Sequence, residues 1–320
     1  MLAATAEVDF HSRLDPRASR LISRLTFAGD VDRLDPVQAR RAYNLSRRQY
    51  VWPLEEVGEV ILVARSPNGT PALKLFRPRN NGSQASETYI FLHGGGWTLG
   101  DLTTYEPLCR RLANQLGANV LWVNYRLAPE HPFPAALDDA LAAALWIFKH
   151  ARELGLDPTR ISLIGDSAGA NLAAVLALLN RRAEYGPRFE RQVLIYPCLD
   201  LTASYPSHRE FAEGYLLTRA LYGWYRRNYV GDHDPANWRL SPIFASGLKE
   251  AAPAVILRAG FDPLRDEASA YAQRLRLAGV RVEEINFPEM IHGFINMGAA
   301  LPQAGNAVQQ IRRAIKRLDR

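Results

Sequence analysis

Apolar positions in this chain fall into two alternating patterns. Short continuous runs occur at 89–92, 120–124, 161–164, 193–196, 254–259 and 282–287, the signature of strands buried on both faces. Between most of them the spacing changes to three and four. Leu137, Leu141, Leu145 and Phe148 share one helical face, as do Leu172, Val175, Leu176 and Leu179, and a last helix carries Val308, Ile311, Ile315 and Leu318. Strand–helix alternation of this kind predicts an α/β protein with a mostly parallel sheet flanked by helices. Ahead of it, "GEVILVARS" and "ALKLFRP" are split by "PNGT" and predict an antiparallel hairpin at one edge. Two segments do not fit the alternation. Residues 1–50 are Arg-rich, with helical spacing at Leu14, Leu21 and Leu25 and no strand-like run. Some sixty residues separate the runs at 193–196 and 254–259 and include the aromatic helix "TRALYGWYRRNYV". An insertion of that length is usually functional. The expectation is therefore a helical cap with an N-terminal part at 1–50 and an insertion at about 200–245, over a catalytic domain spanning 51–320.

Composition narrows the class only slightly. The chain has 320 residues, 48% of them apolar, enough to bury one large core. Its opening, "MLAATAEVDFHSRLDP", has acids at Glu7 and Asp9 and no long apolar run, so no export leader and a cytoplasmic location are expected. No apolar run reaches membrane-spanning length, and membrane insertion is not expected. The formal charge is +6, and only Lys74, Lys149, Lys249 and Lys316 among the 39 basic residues are lysines. The arginines form no dense stripe, so a solvated basic surface is favoured over a nucleic-acid or membrane-surface binder. Two cysteines, Cys109 and Cys198, cannot make a disulfide framework and read as buried free thiols.

The chemistry concentrates at a few places. "LIGDSAGAN" contains Gly-x-Ser-x-Gly between an apolar strand and an apolar-periodic helix, which puts Ser167 at the tip of a sharp turn with a helix N-terminus behind it. A serine hydroxyl needs a base, and the base needs an orienting carboxylate. Downstream of Ser167 stand three histidines. His208 and His233 fall among polar residues of the insertion and read as surface or cap residues, whereas His292 in "PEMIHGF" follows the run ending at Phe287. Loops at strand C-terminal ends are where parallel α/β sheets bind ligands. Asp262 in "AVILRAGFDPLRDE" lies at another such end and is preferred over Asp266 and Glu289. "LHGGGW" supplies the remaining need. Consecutive glycines let backbone N–H groups turn into one pocket, so Gly95 and Gly96, with Ala168 after the nucleophile, are expected to bind an oxyanion. Gly94 belongs to the same loop, is counted with the oxyanion group and lets the loop turn into the site.

Taken together, "HGGGW", "YRLAPEHPFPAALDD", "GDSAGANLA", "DPLRDE" and "IHGF" resemble the hormone-sensitive-lipase-like family of bacterial esterases and lipases, in its GDSAG sub-type. The order and spacing match over roughly residues 50–320. The resemblance implies an α/β-hydrolase fold with eight mostly parallel strands and a helical cap. Ser167 would then be the nucleophile, His292 the base and Asp262 the orienting acid. His93 and "YRLAPE" would brace the site. Members often carry glycine where this chain has Ala268, a helical position that leaves the chemistry untouched.

These readings imply a carboxylesterase for short-to-medium acyl esters that works through an acyl-enzyme, with no cofactor and no metal. Its partner would be a small hydrophobic ester, and the chain would be a monomer or homodimer. Trp97, Tyr215, Leu216, Leu217, Leu221 and Trp224 are candidates for an apolar pocket. An amidase or lactonase with the same triad is the alternative among enzymes. A hydrolase-fold receptor for a small ligand is the alternative of another class, and it is disfavoured by the presence of His292.

Overall fold

The computed structural model describes residues 14–26, 31–63, 71–79, 87–180 and 188–320. The chain begins with helices α1 (Pro16–Thr26) and α2 (Pro36–Arg47). Strands β1 (Glu59–Val63), β2 (Leu73–Arg77) and β3 (Thr88–Leu92) follow, then α3 (Leu102–Leu116), β4 (Asn119–Val123), α4 (Ala135–His150), β5 (Ile161–Asp166), α5 (Ala168–Leu179) and β6 (Gln192–Ile195). After β6 come α6 (Ser207–Glu210), α7 (Arg219–Val230), β7 (Ala254–Phe261), α8 (Arg265–Leu277), β8 (Val282–Ile291) and α9 (Pro302–Leu318).

All eight strands form one sheet in the order β1-β2-β4-β3-β5-β6-β7-β8. The β1–β2 and β2–β4 pairs are antiparallel and every other pair is parallel. The hairpin expected at one edge is therefore there, although its "PNGT" turn lies outside the described residues. Strands β3, β4, β5 and β6 are buried at every position, because helices cover both faces. One layer packs α4, α5 and α8 on the sheet, and the other packs α3 and α9.

The periodic helices stand where the spacing puts them, but α4 turns a different face inward. Leu137 is buried while Leu145 is exposed, and the packed face runs through Ala136, Ala140, Ala143, Ala144 and Ile147. Small residues let α4 approach α5 closely, so volume rather than hydrophobicity selects the face. Helix α9 buries Val308, Ile311, Ile315 and Leu318 as the spacing requires.

The two segments outside the alternation meet above the sheet. Ala39 of α2, Leu99 and Trp224 of α7 form a small apolar cluster, flanked by Tyr43, Leu221 and Tyr225. Helix α1 behaves differently. Its Ala18, Leu21 and Leu25 are buried in the same core layer as α9 and Phe294, and the Asp15 N–H bonds the Glu289 carbonyl of β8. The N-terminal helices thus divide, one packing into the body and one onto the insertion. No helix among the described residues is long and apolar enough to cross a membrane. Cys109 and Cys198 are both buried and unpaired.

Candidate active site

Strand β5 delivers Ser167 at φ 55° and ψ −118°, a left-handed conformation that a non-glycine residue adopts only when its surroundings hold it there. The surroundings do hold it. The Ser167 N–H bonds the Ile195 carbonyl at 2.9 Å, and the Ser167 carbonyl accepts the N–H groups of Asn171 and Cys198. The turn needs a bare backbone on its helix side: a β-carbon at Gly169 would stand 2.0 Å from the Leu92 carbonyl oxygen. This compression lets α5 start directly behind the serine with its N-terminus facing the site.

The ends of β7 and β8 supply the partners. His292 Nε2 lies 2.8 Å from Ser167 Oγ, and His292 Nδ1 lies 2.8 Å from Asp262 Oδ2. The second carboxylate oxygen of Asp262 accepts the Leu264 N–H at 2.9 Å, and Asp262 is wholly buried. With a carboxylate fixed on Nδ1–H, Nε2 is left as the acceptor facing the serine. The three residues singled out from the sequence are thus brought together across 125 positions of chain.

The glycine loop faces them. Gly95 and Gly96 have φ of 109° and 59°, conformations that suit glycine. The Gly95 carbonyl is taken by Thr98 and Leu99. The N–H groups of Gly95, Gly96 and Ala168 have no hydrogen-bond partner among the described residues. Gly94 differs from its neighbours, because its N–H donates to Asp166 Oδ1 at 2.8 Å. It therefore fixes the loop rather than offering a donor, a correction to its inclusion with the oxyanion group.

Asp166 is only a sub-type marker in the sequence, and the structure gives it work. It is buried, it holds Gly94, and Tyr105 donates to its other oxygen at 3.2 Å. Burial pushes its carboxyl up to about 6, partly offset by the Gly94 and Tyr105 hydrogen bonds. His93 is buried as well, with Nδ1 2.8 Å from the Gly94 carbonyl and its ring stacked on Tyr125 at 4.2 Å. Desolvation lowers it to about 4, so it stays neutral at ordinary pH. The "YRLAPE" segment closes the brace. Tyr125 donates to the His93 carbonyl, the Ala128 N–H to the Trp97 carbonyl, and Glu130 pairs with Arg40 of α2. Arg40 also donates to the Thr98 and Ala128 carbonyls, which fastens α2 to the glycine loop.

A pocket open to solvent lies over Ser167 and His292. Of the residues expected to line it, Trp97, Leu216, Leu217 and Leu221 do. Trp97 is also core, stacked on Tyr229 at 4.2 Å. Tyr215 and Trp224 do not line it. The Tyr215 ring packs against Phe211 and Phe261 beneath the insertion, and Trp224 fills the seam between α2 and α7. Their place is taken by Tyr43, Tyr222 and Tyr225, aromatic residues whose α-helical positions carry no signal separating pocket from core.

The insertion histidines separate too. His233 is exposed and lies edge-on to Phe133. His208, read as a surface or cap residue, is buried instead, 2.7 Å from Glu267. Glu267 in turn accepts the Leu199 and Asp200 N–H groups. The burial of His208 is not legible in the sequence because its partners are distant along the chain.

An eight-stranded sheet, a strained serine on the β5–α5 turn and a histidine–aspartate pair at the ends of β7 and β8 define an α/β hydrolase. A family model described as alpha/beta hydrolase fold matches residues 89–296, and the chain belongs to that family, among the hormone-sensitive-lipase-like esterases that its motifs resemble. It is 42% identical over 294 residues to the carboxylic ester hydrolase LipN of Mycobacterium tuberculosis, covering 89% of this chain and 77% of LipN. To the ethyl acetate hydrolase of Pseudomonas putida it is 35% identical over 290 residues, covering 88% and 90%. Among solved structures, an α/β-hydrolase enzyme from the metagenome of Lake Arreo, Spain, superposes with a TM-score of 0.90 at 36% identity, over 94% of this chain and 97% of the other. A hyperthermophilic esterase from Pyrobaculum calidifontis gives 0.87 at 36% identity, over 96% and 99%.

Proposed function

We propose that this protein is a carboxylesterase for short-to-medium acyl esters, working through a Ser167 acyl-enzyme. The observation that carries the reading is His292 held between Ser167 Oγ and Asp262 Oδ2, at 2.8 Å on each side, opposite three unengaged N–H groups. Ser167 attacks the ester carbonyl as His292 takes its proton. Asp262 stabilises the resulting imidazolium and keeps the ring in place. The carbonyl oxygen, now an alkoxide, is held by the Gly95, Gly96 and Ala168 N–H groups, with the α5 N-terminus behind them. The tetrahedral intermediate collapses, the C–O bond to the alcohol breaks, and His292 returns its proton to the departing alkoxide. Water then repeats the sequence on the acyl-enzyme and releases the acid. Helices α2 and α7 act as the cap, with the Tyr225 ring lying directly over Gly96. The names of relatives, a carboxylic ester hydrolase and an ethyl acetate hydrolase, support the substrate class.

A panel of ester, lactone and amide substrates tests the reading, run beside Ser167→Ala and a serine-reactive fluorophosphonate. The expected result is ester turnover, stoichiometric labelling of Ser167, and loss of both in the variant by at least about 10³-fold. Near-normal turnover in Ser167→Ala would sink it. Amides or lactones outrunning all esters would move the activity, not the site.

A further inference from the structure

The catalytic pocket has a neighbouring cavity on the insertion side. Tyr222 and Arg226, one turn apart on α7, border both the pocket and this second cavity. Arg209 and Arg219 stand on that second cavity as well. Among the described residues, none of these three guanidinium groups has an ion pair or a side-chain hydrogen bond. No carboxylate lines the cavity. The acids nearby are already engaged: Glu210 and Asp266 with Arg265, and Glu267 with His208 and two backbone N–H groups. Other arginines, such as Arg40, Arg110, Arg160 and Arg317, each meet an acid. Arg47 also touches the catalytic pocket, but it lies over the Tyr43 ring, and Asp32 and Glu213 border the space beyond it. It does not reach the second cavity.

Three guanidinium groups around one concave space repel one another unless an anion joins them. A cleft with low-dielectric walls concentrates their field. Guanidinium groups recognise carboxylates and phosphates through paired N–H donors. We propose that the second cavity takes an oxyanion at the far end of the ester substrate, so that the preferred substrates are anionic esters held by Arg226 with Arg209 and Arg219. This rests on the esterase reading of Ser167 and replaces the purely hydrophobic substrate expected from the pocket's leucines.

Chain-matched ester pairs followed in a pH-stat provide the test. Ethyl hexanoate against monoethyl adipate puts the charge on the acyl side. Butyl acetate against the acetate of ω-hydroxybutyrate puts a carboxylate on the alcohol side, and propyl acetate against the acetate of hydroxypropyl phosphate does the same with a phosphate. At least one anionic member is expected to exceed its neutral partner in kcat/KM by about tenfold or more, chiefly through KM. That advantage should shrink as salt is raised. Arg226→Gln should cut the anionic-to-neutral ratio about tenfold. Arg219→Gln, at an exposed position of α7, should move it in the same direction and guards against misfolding of the first variant. Arg313→Gln, exposed on α9 and far from the pocket lining, removes the same charge and should leave the ratio alone. Neutral esters equal or better in all three pairs would overturn the inference and leave the esterase reading intact. An equal fall in Arg313→Gln would overturn it in favour of long-range attraction. Turnover of no ester at all would overturn both.

Discussion

The molecule contains two buried histidine–carboxylate pairs of nearly equal geometry. His292 lies 2.8 Å from Asp262, and His208 lies 2.7 Å from Glu267. Both acids are wholly buried, and both sit at the β7–α8 junction, five residues apart. What separates them is the third partner. His292 offers its other nitrogen to Ser167 Oγ in the catalytic pocket, whereas the His208 ring lies edge-on to Tyr222 at 5.1 Å and borders the second cavity. The carboxylates differ in the same sense. Asp262 gives one oxygen to the imidazole and one to the backbone of its own turn. Glu267 grips the Leu199 and Asp200 N–H groups, so it clamps the loop that carries Cys198 and Leu201 to the pocket wall. The same histidine–acid geometry thus fits the proposed catalytic pair at one place and a structural clamp at the other.

Substituting each acid by its amide separates the two roles most sharply. Asp262→Asn leaves the shape but turns the wrong side of the imidazole toward Ser167, and kcat should fall about 10³–10⁴-fold with little change in KM. Glu267→Gln keeps an oxygen for Leu199 and Asp200 and an N–H for His208. Its kcat should fall less than about tenfold, and the loss should appear in thermal stability, as for other buried networks. Steady-state kinetics and melting curves on the two variants decide this. An equal collapse of kcat in both would mean that Glu267 acts on the chemistry.

The glycine loop gives a smaller but still kinetic effect. Asp166→Ala strips the acceptor from the Gly94 N–H and from the Tyr105 hydroxyl, both buried. Misplaced donors at Gly95 and Gly96 should lower kcat by about 10–100-fold, below the 10²–10³-fold expected of a deleted donor. Asp166→Asn retains a carbonyl for Gly94 and should recover most of that loss. If Asn is as poor as Ala, the charge of Asp166 matters rather than its oxygen. Rates on one neutral ester at saturating concentration are sufficient to distinguish these cases.

Legibility follows the same division. Ser167, Asp262 and His292 could be read because each sits in a local pattern, a turn motif or the loop after an apolar strand, that the fold requires at that place. The strands could be read because burial on both faces makes them continuously apolar. What escaped depends on contacts between distant segments. Nothing in "PSHRE" says that His208 will meet an acid 59 residues later. Nothing in the apolar spacing of α4 says that alanines will pack and Leu145 will face water. Tyr215 and Trp224 carry the same aromatic signal as the true pocket residues Tyr222 and Tyr225, and only the tilt of the insertion sorts them. Gly94 and Gly95 are identical letters, yet one N–H is spent on Asp166 and the other has no partner among the described residues.

The smallest expected effect is on stability as pH changes, and it has opposite signs at the two sites. His93, bracing the glycine loop, has its basicity depressed by burial from an ordinary 6.5 to about 4. A depressed group supports the fold above its unfolded value and loses that support as pH falls through its folded one. Wild type should therefore lose up to about 3 kcal/mol from this source between pH 6.5 and 4. Glu267, in the clamp, is pushed up by burial to about 7, with His208 pulling it down in part. A raised acid runs the other way: its contribution is present in acid and is lost as pH rises through 7. His93→Asn preserves an N–H for the Gly94 carbonyl but loses the Tyr125 stack. It should be less stable than wild type at pH 7.5, by about 1–2 kcal/mol, with the gap narrowing toward pH 4.5. Glu267→Gln should show its largest deficit in mild acid, with the gap narrowing toward pH 9. Urea unfolding of both variants beside wild type across that range reads the two slopes directly. Parallel slopes would show that His93 and Glu267 do not act on stability in opposite senses.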